Sequence, residues 1–191
     1  MHAVTIAAAS FAALAAAVPH AHSHRHAHAV EKRDGTTFGL TVVNNCTTSK
    51  TFGLYQVSSS FAMTQMSDPV EIESEGSSTI QVAFTDLGMR LSATADLGTD
   101  AQWDAQTLFE FGYSTYLELT GTAYDLSVMD GGSEGIAAYP ATSACESKIC
   151  SSAGCTLAEA WTNADEITDG SPADTVCYEG MQDFKVVWCP S

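Results

Sequence analysis

Three carboxylates in one stretch of the sequence, 109–131 (FEFGYSTYLELTGTAYDLSVMDG), are placed so that they can act together. Glu110 lies between two phenylalanines and Asp125 between a tyrosine and a leucine, an alternation typical of strands that bury one face. If these strands pair, Glu110 and Asp125 share one face of a sheet, and Asp130, in the Asp-Gly-Gly turn that follows, can approach from its edge. The stretch therefore predicts an acidic cleft. The alternative is an ordinary half-solvated antiparallel sheet, which has the same alternation.

Paired carboxyl groups in such a cleft can carry out acid–base chemistry, of which the hydrolysis of glycosidic bonds is one example. Glycoside hydrolysis uses one protonated and one ionised carboxyl group on either side of the bond, and crowded carboxylates can raise one pKa enough to supply the acid. Trp103 offers a flat apolar surface for a sugar ring. The alternative for Trp103 is a place in the core or in a hairpin.

The same stretch resembles the core of thaumatin-like proteins. In that family an A-E-F segment precedes Y-D-V-S-x-V-D-G, and here LFEF precedes YDLSVMDG. VVNNC at 42–46 and FKVVWCP at 184–190 resemble the first and last strands of the family. The likeness is closest to the small secreted fungal members, the antigenic thaumatin-like proteins of conidia. It implies an all-β fold, the thaumatin-like β-sandwich with a small disulfide-stapled loop region.

The resemblance also implies a ligand. In larger members of the family a cleft of one arginine, one glutamate and three aspartates is linked to β-glucan binding, and in some members to weak endoglucanase activity. The carboxylates that match it are Glu110, Asp125, Asp130 and Asp169, with Asp174 as a less well-placed substitute for Asp169. Trp103 stands where the arginine is sought, seven residues before the glutamate. A cleft without that arginine has less compensated like charges, which favours binding over turnover.

Arg90 resembles an arginine at the start of a family strand. By alternation it faces away from its apolar neighbours in GMRLSAT. We expect a salt bridge between Arg90 and one of the many acids, with ligand binding as the alternative role.

The sequence divides into a leader and one domain. Residues 1–18 are an alanine-rich apolar run that predicts a secretory signal peptide, too short and too weakly apolar for a membrane span. Residues 19–33 are rich in histidine and end in Lys32-Arg33, the dibasic site of a kexin-type processing protease. The mature thaumatin-like domain is therefore expected at 34–191, as a monomer.

All six histidines precede that processing site. Alternating histidines can bind zinc, copper or nickel while the leader is attached, and the alternative is a soluble, pH-sensitive propeptide. We expect no metal site in the mature chain and no cofactor.

The acidic composition limits the partners. The chain has a net charge of -16, and only one of its 23 acidic residues and three of its seven basic residues precede residue 34. A strongly acidic domain is a poor ligand for nucleic acid or anionic lipid, which need clustered lysine and arginine. Neutral glycans, cations and basic protein patches remain possible partners.

Short apolar runs separated by turn residues predict an all-β sandwich. The predicted strands are 38–43, 52–57, 70–72, 79–84, 89–93, 107–111, 115–119, 123–129, 136–139 and 184–188. The one helical candidate is LAEAW at 157–161.

Six cysteines behind a signal peptide indicate disulfides, and six allow fifteen pairings. The family resemblance implies Cys46–Cys189 and Cys145–Cys177, which leaves Cys150–Cys155.

Three functions follow as expectations. The first is a secreted protein of the cell wall or spore surface that binds β-glucan and takes part in wall remodelling during conidial germination. The second is a weak endo-β-glucanase with Glu110 as the acid and Asp125 or Asp130 as its partner. The third is a surface adhesin, invasin or effector that binds a host protein. Glycan binding without efficient catalysis is the favoured interpretation.

Overall fold

The computed structural model describes residues 37–60, 62–83, 88–95, 104–129, 131–151, 154–166 and 170–191. The predicted signal peptide and propeptide lie outside the described residues. So do three of the predicted cleft residues, Trp103, Asp130 and Asp169.

The described residues form twelve strands in two sheets. The strands are β1 (Thr37–Asn44), β2 (Lys50–Val57), β3 (Met63–Gln65), β4 (Val70–Ile72), β5 (Gly76–Ala83), β6 (Gly88–Ser92), β7 (Leu108–Tyr116), β8 (Leu119–Ser127), β9 (Ile136–Pro140), β10 (Lys148–Cys150), β11 (Thr175–Cys177) and β12 (Phe184–Trp188). One sheet has the order β10-β9-β12-β1-β5, and the other has the order β11-β8-β7-β6-β2-β3 with β4 also paired to β2. The predicted all-β fold class is confirmed.

The core lies between the two sheets and is built from alternate residues of their strands. Phe184 of β12 contacts Phe109 of β7 and Tyr124 of β8, with ring centroids 5.0 and 4.9 Å apart. Trp188 of β12 packs edge-on against Phe52 of β2 at 4.9 Å. Because Phe109 and Tyr124 point inward, the residues next to them on β7 and β8 point to the outer face of the larger sheet.

Chain ends that are far apart in sequence meet in the smaller sheet. β1 and β12 run parallel, with Asn44 opposite Trp188. Just beyond this pair a disulfide joins Cys46 to Cys189, residues 143 apart in the sequence. The other disulfides join Cys145 to Cys177 and Cys150 to Cys155, and these are the three pairs that the resemblance implied. Three disulfides in a domain of this size are typical of secreted proteins.

Two predictions of local structure are wrong. Residues 157–161 form no regular helix: the chain makes one turn, in which the amides of Glu159 and Ala160 donate to Thr156 O, and then runs beside β8. The predicted strands 107–111 and 115–119 are one strand, β7, because the chain reverses only at Leu117 and Glu118. Pairing along the whole hairpin extends strand structure across a glycine that interrupts the apolar pattern.

Candidate functional site

Glu110 and Asp125 are directly opposite each other on the outer face of the larger sheet. They form one register pair of the β7–β8 ladder, and their neighbours Phe109 and Leu126 are fully buried on the other face. Side chains directly opposite on antiparallel strands have Cβ atoms about 4.5–5.5 Å apart. The structure thus brings together the two carboxylates that alternation placed on one face.

Arg90 extends this pair by one strand. It lies opposite Glu110 on β6, and its Nη2 is 3.1 Å from Glu110 Oε1 while Nε donates to the same oxygen at 3.2 Å. The Arg90 side chain is 9% exposed and that of Glu110 is 29% exposed. Trp103 does occupy the sequence position of the family's arginine, but Arg90 supplies a cation, so the expectation that Glu110 is left uncompensated is wrong and the expectation that Arg90 pairs with an acid is confirmed. The arginine comes from a neighbouring strand rather than from the segment before the glutamate.

Asp174 lies at the opposite end of the row. The pairing of Thr175 with Tyr124 opens the β11–β8 ladder, and continuing that register by one residue places Asp174 beside Asp125. Arg90, Glu110, Asp125 and Asp174 therefore follow one another across the sheet. Asp174, the less well-placed substitute for Asp169 in the sequence comparison, is the third described carboxylate of this row.

Trp161 lies against Asp174 at the same edge of the sheet. Its backbone bridges to β8, donating to Leu126 O at 2.8 Å and accepting from the amide of Val128 at 2.9 Å. Its indole Nε1 donates to Asp174 Oδ1 at 2.7 Å. Alternation did not single out Trp161, because it lies in a turn rather than in a strand.

Burial and neighbouring charges change the acidity of Asp125. The side chain is half-buried, and its Oδ1 has neither solvent contact nor a hydrogen-bond partner among the described residues. Burial raises the pKa of Asp125 well above its ordinary value of 3.8, and the charges of Glu110 and Asp174 raise it further. Arg90 and Lys148 oppose this effect but do not cancel it. The row therefore places Asp125, a carboxyl group of raised pKa, beside Glu110, which is paired with the Arg90 cation.

Lys148 is a buried cation that sequence reasoning did not connect with the site. It is 4% exposed on β10, and its Nζ donates to Glu146 Oε1 at 3.3 Å and to Ala158 O at 3.2 Å. The Ala158 contact ties β10 to the turn that leads to Trp161. A lysine in a cysteine-rich segment gives no sequence signal for this placement, since the contact depends on how the loop folds back.

The described residues contain no group of three or more histidine, cysteine, aspartate and glutamate side chains that could hold a metal ion. In the same described part of the chain, no helix is long and apolar enough to cross a membrane. Within the row Arg90 is buried and Asp125 half-buried, whereas Glu110 is partly exposed and Asp174 exposed, so the carboxylates of Glu110 and Asp174 are the groups most accessible to hydrogen bonding with hydroxyl groups.

Known proteins resemble this chain in structure. The protein elicitor MoHrip2 from Magnaporthe oryzae is similar to it with a TM-score of 0.51 and 13% sequence identity, over 80% of this chain and 99% of that one. The thaumatin-like xylanase inhibitor TLXI gives a TM-score of 0.49 and 11% identity, over 79% of this chain and 99% of the inhibitor. No protein-family model matches the chain, and no curated protein matches it. The likeness to MoHrip2 shows a shared fold alone.

Proposed function

We propose that this is a secreted protein of the cell wall or spore surface that binds β-glucan in the acidic cleft, with a role in wall remodelling during conidial germination. The observation that carries the proposal is the row of Arg90, Glu110 and Asp125 across three adjacent strands. Its place at the wall and its role in germination rest on the sequence resemblance to conidial thaumatin-like proteins.

A neutral glycan suits both the local chemistry and the overall charge. Hydroxyl groups both donate and accept hydrogen bonds, and the row offers carboxyl oxygens at Glu110 and Asp125 and a fixed donor at Arg90. An anionic polymer would meet a chain with a net charge of -16. A neutral polysaccharide avoids that repulsion.

Pull-down on insoluble polysaccharide tests this proposal. The protein secreted from the full-length sequence is incubated with β-glucan and with chitin, alongside Glu110→Gln and Asp125→Asn. Glu118→Gln is the matched control, because it removes the same charge at the exposed turn between β7 and β8. We expect β-glucan binding that Glu110→Gln weakens at least about tenfold and Glu118→Gln leaves unchanged. Absence of binding by the unsubstituted protein would reject the proposal.

A weak endo-β-glucanase is the second candidate, supported by the raised pKa of Asp125 beside Glu110. A retaining hydrolase needs an acid and a nucleophile about 5–5.5 Å apart. The raised pKa of Asp125 favours Asp125 as the acid and Glu110 as its partner, whereas the sequence suggested Glu110 as the acid. Reducing-sugar release in the same tubes, abolished by Glu110→Gln and by Asp125→Asn, would establish catalysis. Binding without release would restrict the function to recognition.

A host-protein adhesin is the third candidate, supported by the tip of the β7–β8 hairpin. Leu117 is 85% exposed and Leu119 is 51% exposed, on either side of Glu118. A contiguous exposed apolar patch rimmed by polar residues is typical of protein contact sites, and these two leucines are neighbours at the hairpin tip. Adhesion of protein-coated beads to host cells, lost in Leu117→Asn/Leu119→Thr and retained in Glu110→Gln, would favour this function over glycan binding.

A further inference from the structure

We propose that Trp161 is a stacking platform, an aromatic ring on which a glucose ring of the bound glycan packs. Through it the cleft recognises the apolar face of a β-linked glucosyl unit. This inference rests on the proposed glycan-binding function and adds to it a specificity-determining residue. It transfers to Trp161 the sugar-stacking role that the sequence suggested for Trp103.

The backbone of Trp161 determines which face of the sheet its side chain occupies. Trp161 and Ser127 form a parallel bridge, and paired residues of a parallel bridge direct their side chains to the same face. Ser127 is two residues beyond Asp125 on β8, so those two side chains also share a face. Trp161 is therefore on the acidic face, next to the end of the row formed by Arg90, Glu110 and Asp125.

Asp174 fixes the orientation of the indole ring. Because Nε1 donates to Asp174 Oδ1 at 2.7 Å, the polar atom of the indole is satisfied while the side chain as a whole is only half-buried. An aromatic side chain whose polar edge is satisfied presents an apolar face without leaving a donor unpaired. A ring that is already oriented loses little conformational freedom when a ligand stacks on it.

A buried carboxylate holds the loop between Trp161 and Asp174. Glu166 Oε1 accepts hydrogen bonds from the amides of Thr162 and Asn163 at 2.8 and 3.1 Å, and its Oε2 accepts one from Ser171 Oγ at 2.6 Å. Burial alone would raise the pKa of Glu166, but these hydrogen bonds outweigh it and lower that pKa. The ionised Glu166 thus connects residues 162–163, next to Trp161, with Ser171, which precedes Asp174.

Stacking on the indole ring of Trp161 favours sugars whose ring faces carry only axial C–H groups. A β-linked glucosyl unit has equatorial ring substituents, so both of its faces present axial C–H groups, which pack against an aromatic ring. An axial hydroxyl group, as in galactose or mannose, interrupts one of those faces. Because either face of a glucosyl unit can stack but only one face of a galactosyl or mannosyl unit can, we expect a soluble β-1,3-glucan hexasaccharide to bind more tightly than a β-galactan or β-mannan oligosaccharide of equal length.

Titration of the secreted protein with the β-1,3-glucan hexasaccharide tests the platform, using Trp161→Leu, Trp161→Phe and Glu110→Gln. Leucine is apolar but not flat, whereas phenylalanine keeps a flat ring. We expect about tenfold weaker binding for Trp161→Leu and a loss of no more than about threefold for Trp161→Phe. Equal affinity of Trp161→Leu and the unsubstituted protein, with Glu110→Gln impaired, would overturn the platform and leave the proposed function standing. Absence of binding by the unsubstituted protein would overturn both.

A measurement on the unsubstituted protein covers the case in which Trp161→Leu does not fold. The chain has three tryptophans, so its indole N–H groups give three resonances, and Trp161→Phe assigns one of them. We expect the Trp161 resonance to shift on adding the hexasaccharide and that of Trp188, which is 0% exposed, to stay in place. An unshifted Trp161 resonance at saturation would overturn the inference.

Discussion

Arg90 and Glu110 form an ion pair between neighbouring strands, with Arg90 Nη2 3.1 Å from Glu110 Oε1. The pair is only partly open to solvent, so its attraction is less screened than that of a surface salt bridge. Asp125, on the other side of Glu110, has no such direct contact with a cation among the described residues. The row therefore contains Glu110, whose charge is compensated by Arg90, and Asp125, whose pKa is raised by burial and by the neighbouring acids.

The pH dependence of stability follows from the raised pKa of Asp125. The folded protein holds this proton more tightly than the unfolded chain, so the contribution of Asp125 to stability is fully present below 3.8 and is lost as the pH rises through the folded-state pKa. We expect Asp125→Asn to raise the free energy of unfolding at pH 7 relative to its effect at pH 3, since asparagine cannot ionise and so removes the cost of burying a charge or retaining a proton. Urea unfolding at pH 3 and pH 7 measures this difference.

The control for that experiment is Asp68→Asn, which neutralises an exposed aspartate outside the cleft. It should leave the pH dependence unchanged. A destabilisation of Asp125→Asn that is equal at both pH values would contradict the assignment, because it would show a packing defect rather than the loss of a titrating group.

Replacing Arg90 should affect both its ion pair with Glu110 and the pKa of Asp125. We expect Arg90→Gln to lower the free energy of unfolding by about 2 kcal/mol, between the values for exposed and buried ion pairs. We also expect it to raise the pKa of Asp125 further, since Arg90 lowers that pKa in the intact protein. Urea unfolding and carboxyl-carbon NMR titration measure the two effects.

The double variant Arg90→Gln/Glu110→Gln separates the pair from simple loss of packing. It should be more stable than Arg90→Gln alone, because no carboxylate is then left without its cation. If the double variant is as unstable as the sum of the two single variants, the ion pair makes no contribution.

Alternation along the strands was sufficient to predict the shared face of Glu110 and Asp125, because a period of two fixes the face of every residue once one apolar neighbour is buried. It also gave the bounds of β4 and β12. It missed β3, β10 and β11, which have three residues each and are strands only because a longer strand pairs with them.

The partners of the site were harder to predict than its face. Arg90 lies 20 residues before Glu110, and only the order of strands in the sheet makes them neighbours. Trp161 comes to the site through the chain between Cys155 and Cys177, and Lys148 through β10, which is too short to show a periodic pattern. Such placements depend on long-range folding rather than on local sequence.

The disulfides should differ in their effects on stability. In the chain-entropy account a cross-link stabilises in proportion to the logarithm of the loop that it closes. The Cys46–Cys189 pair closes a separation of 143 residues and Cys150–Cys155 one of 5. Replacing both cysteines by alanine should therefore cost about 5 kcal/mol for the first pair and about 2 kcal/mol for the second. Equilibrium unfolding in urea compares them, and equal losses would reject the entropic explanation.

Gly121 of β8 lies against the end of β11, the edge strand that follows Asp174. A Cβ atom at this position would lie 2.1 Å from Cys177 O and 2.9 Å from Tyr178 Cα, so the backbone around β11 leaves no space for a side chain. We expect Gly121→Ala to lower the free energy of unfolding by about 2–3 kcal/mol. Displacement of β11 should also move Asp174 and weaken glycan binding.

Gly88→Ala is the matched control, because a Cβ at Gly88 meets no atom within 4 Å. Thermal unfolding and the hexasaccharide titration check both effects, and a Gly121→Ala protein as stable as Gly88→Ala would show that β11 is not held against the hairpin.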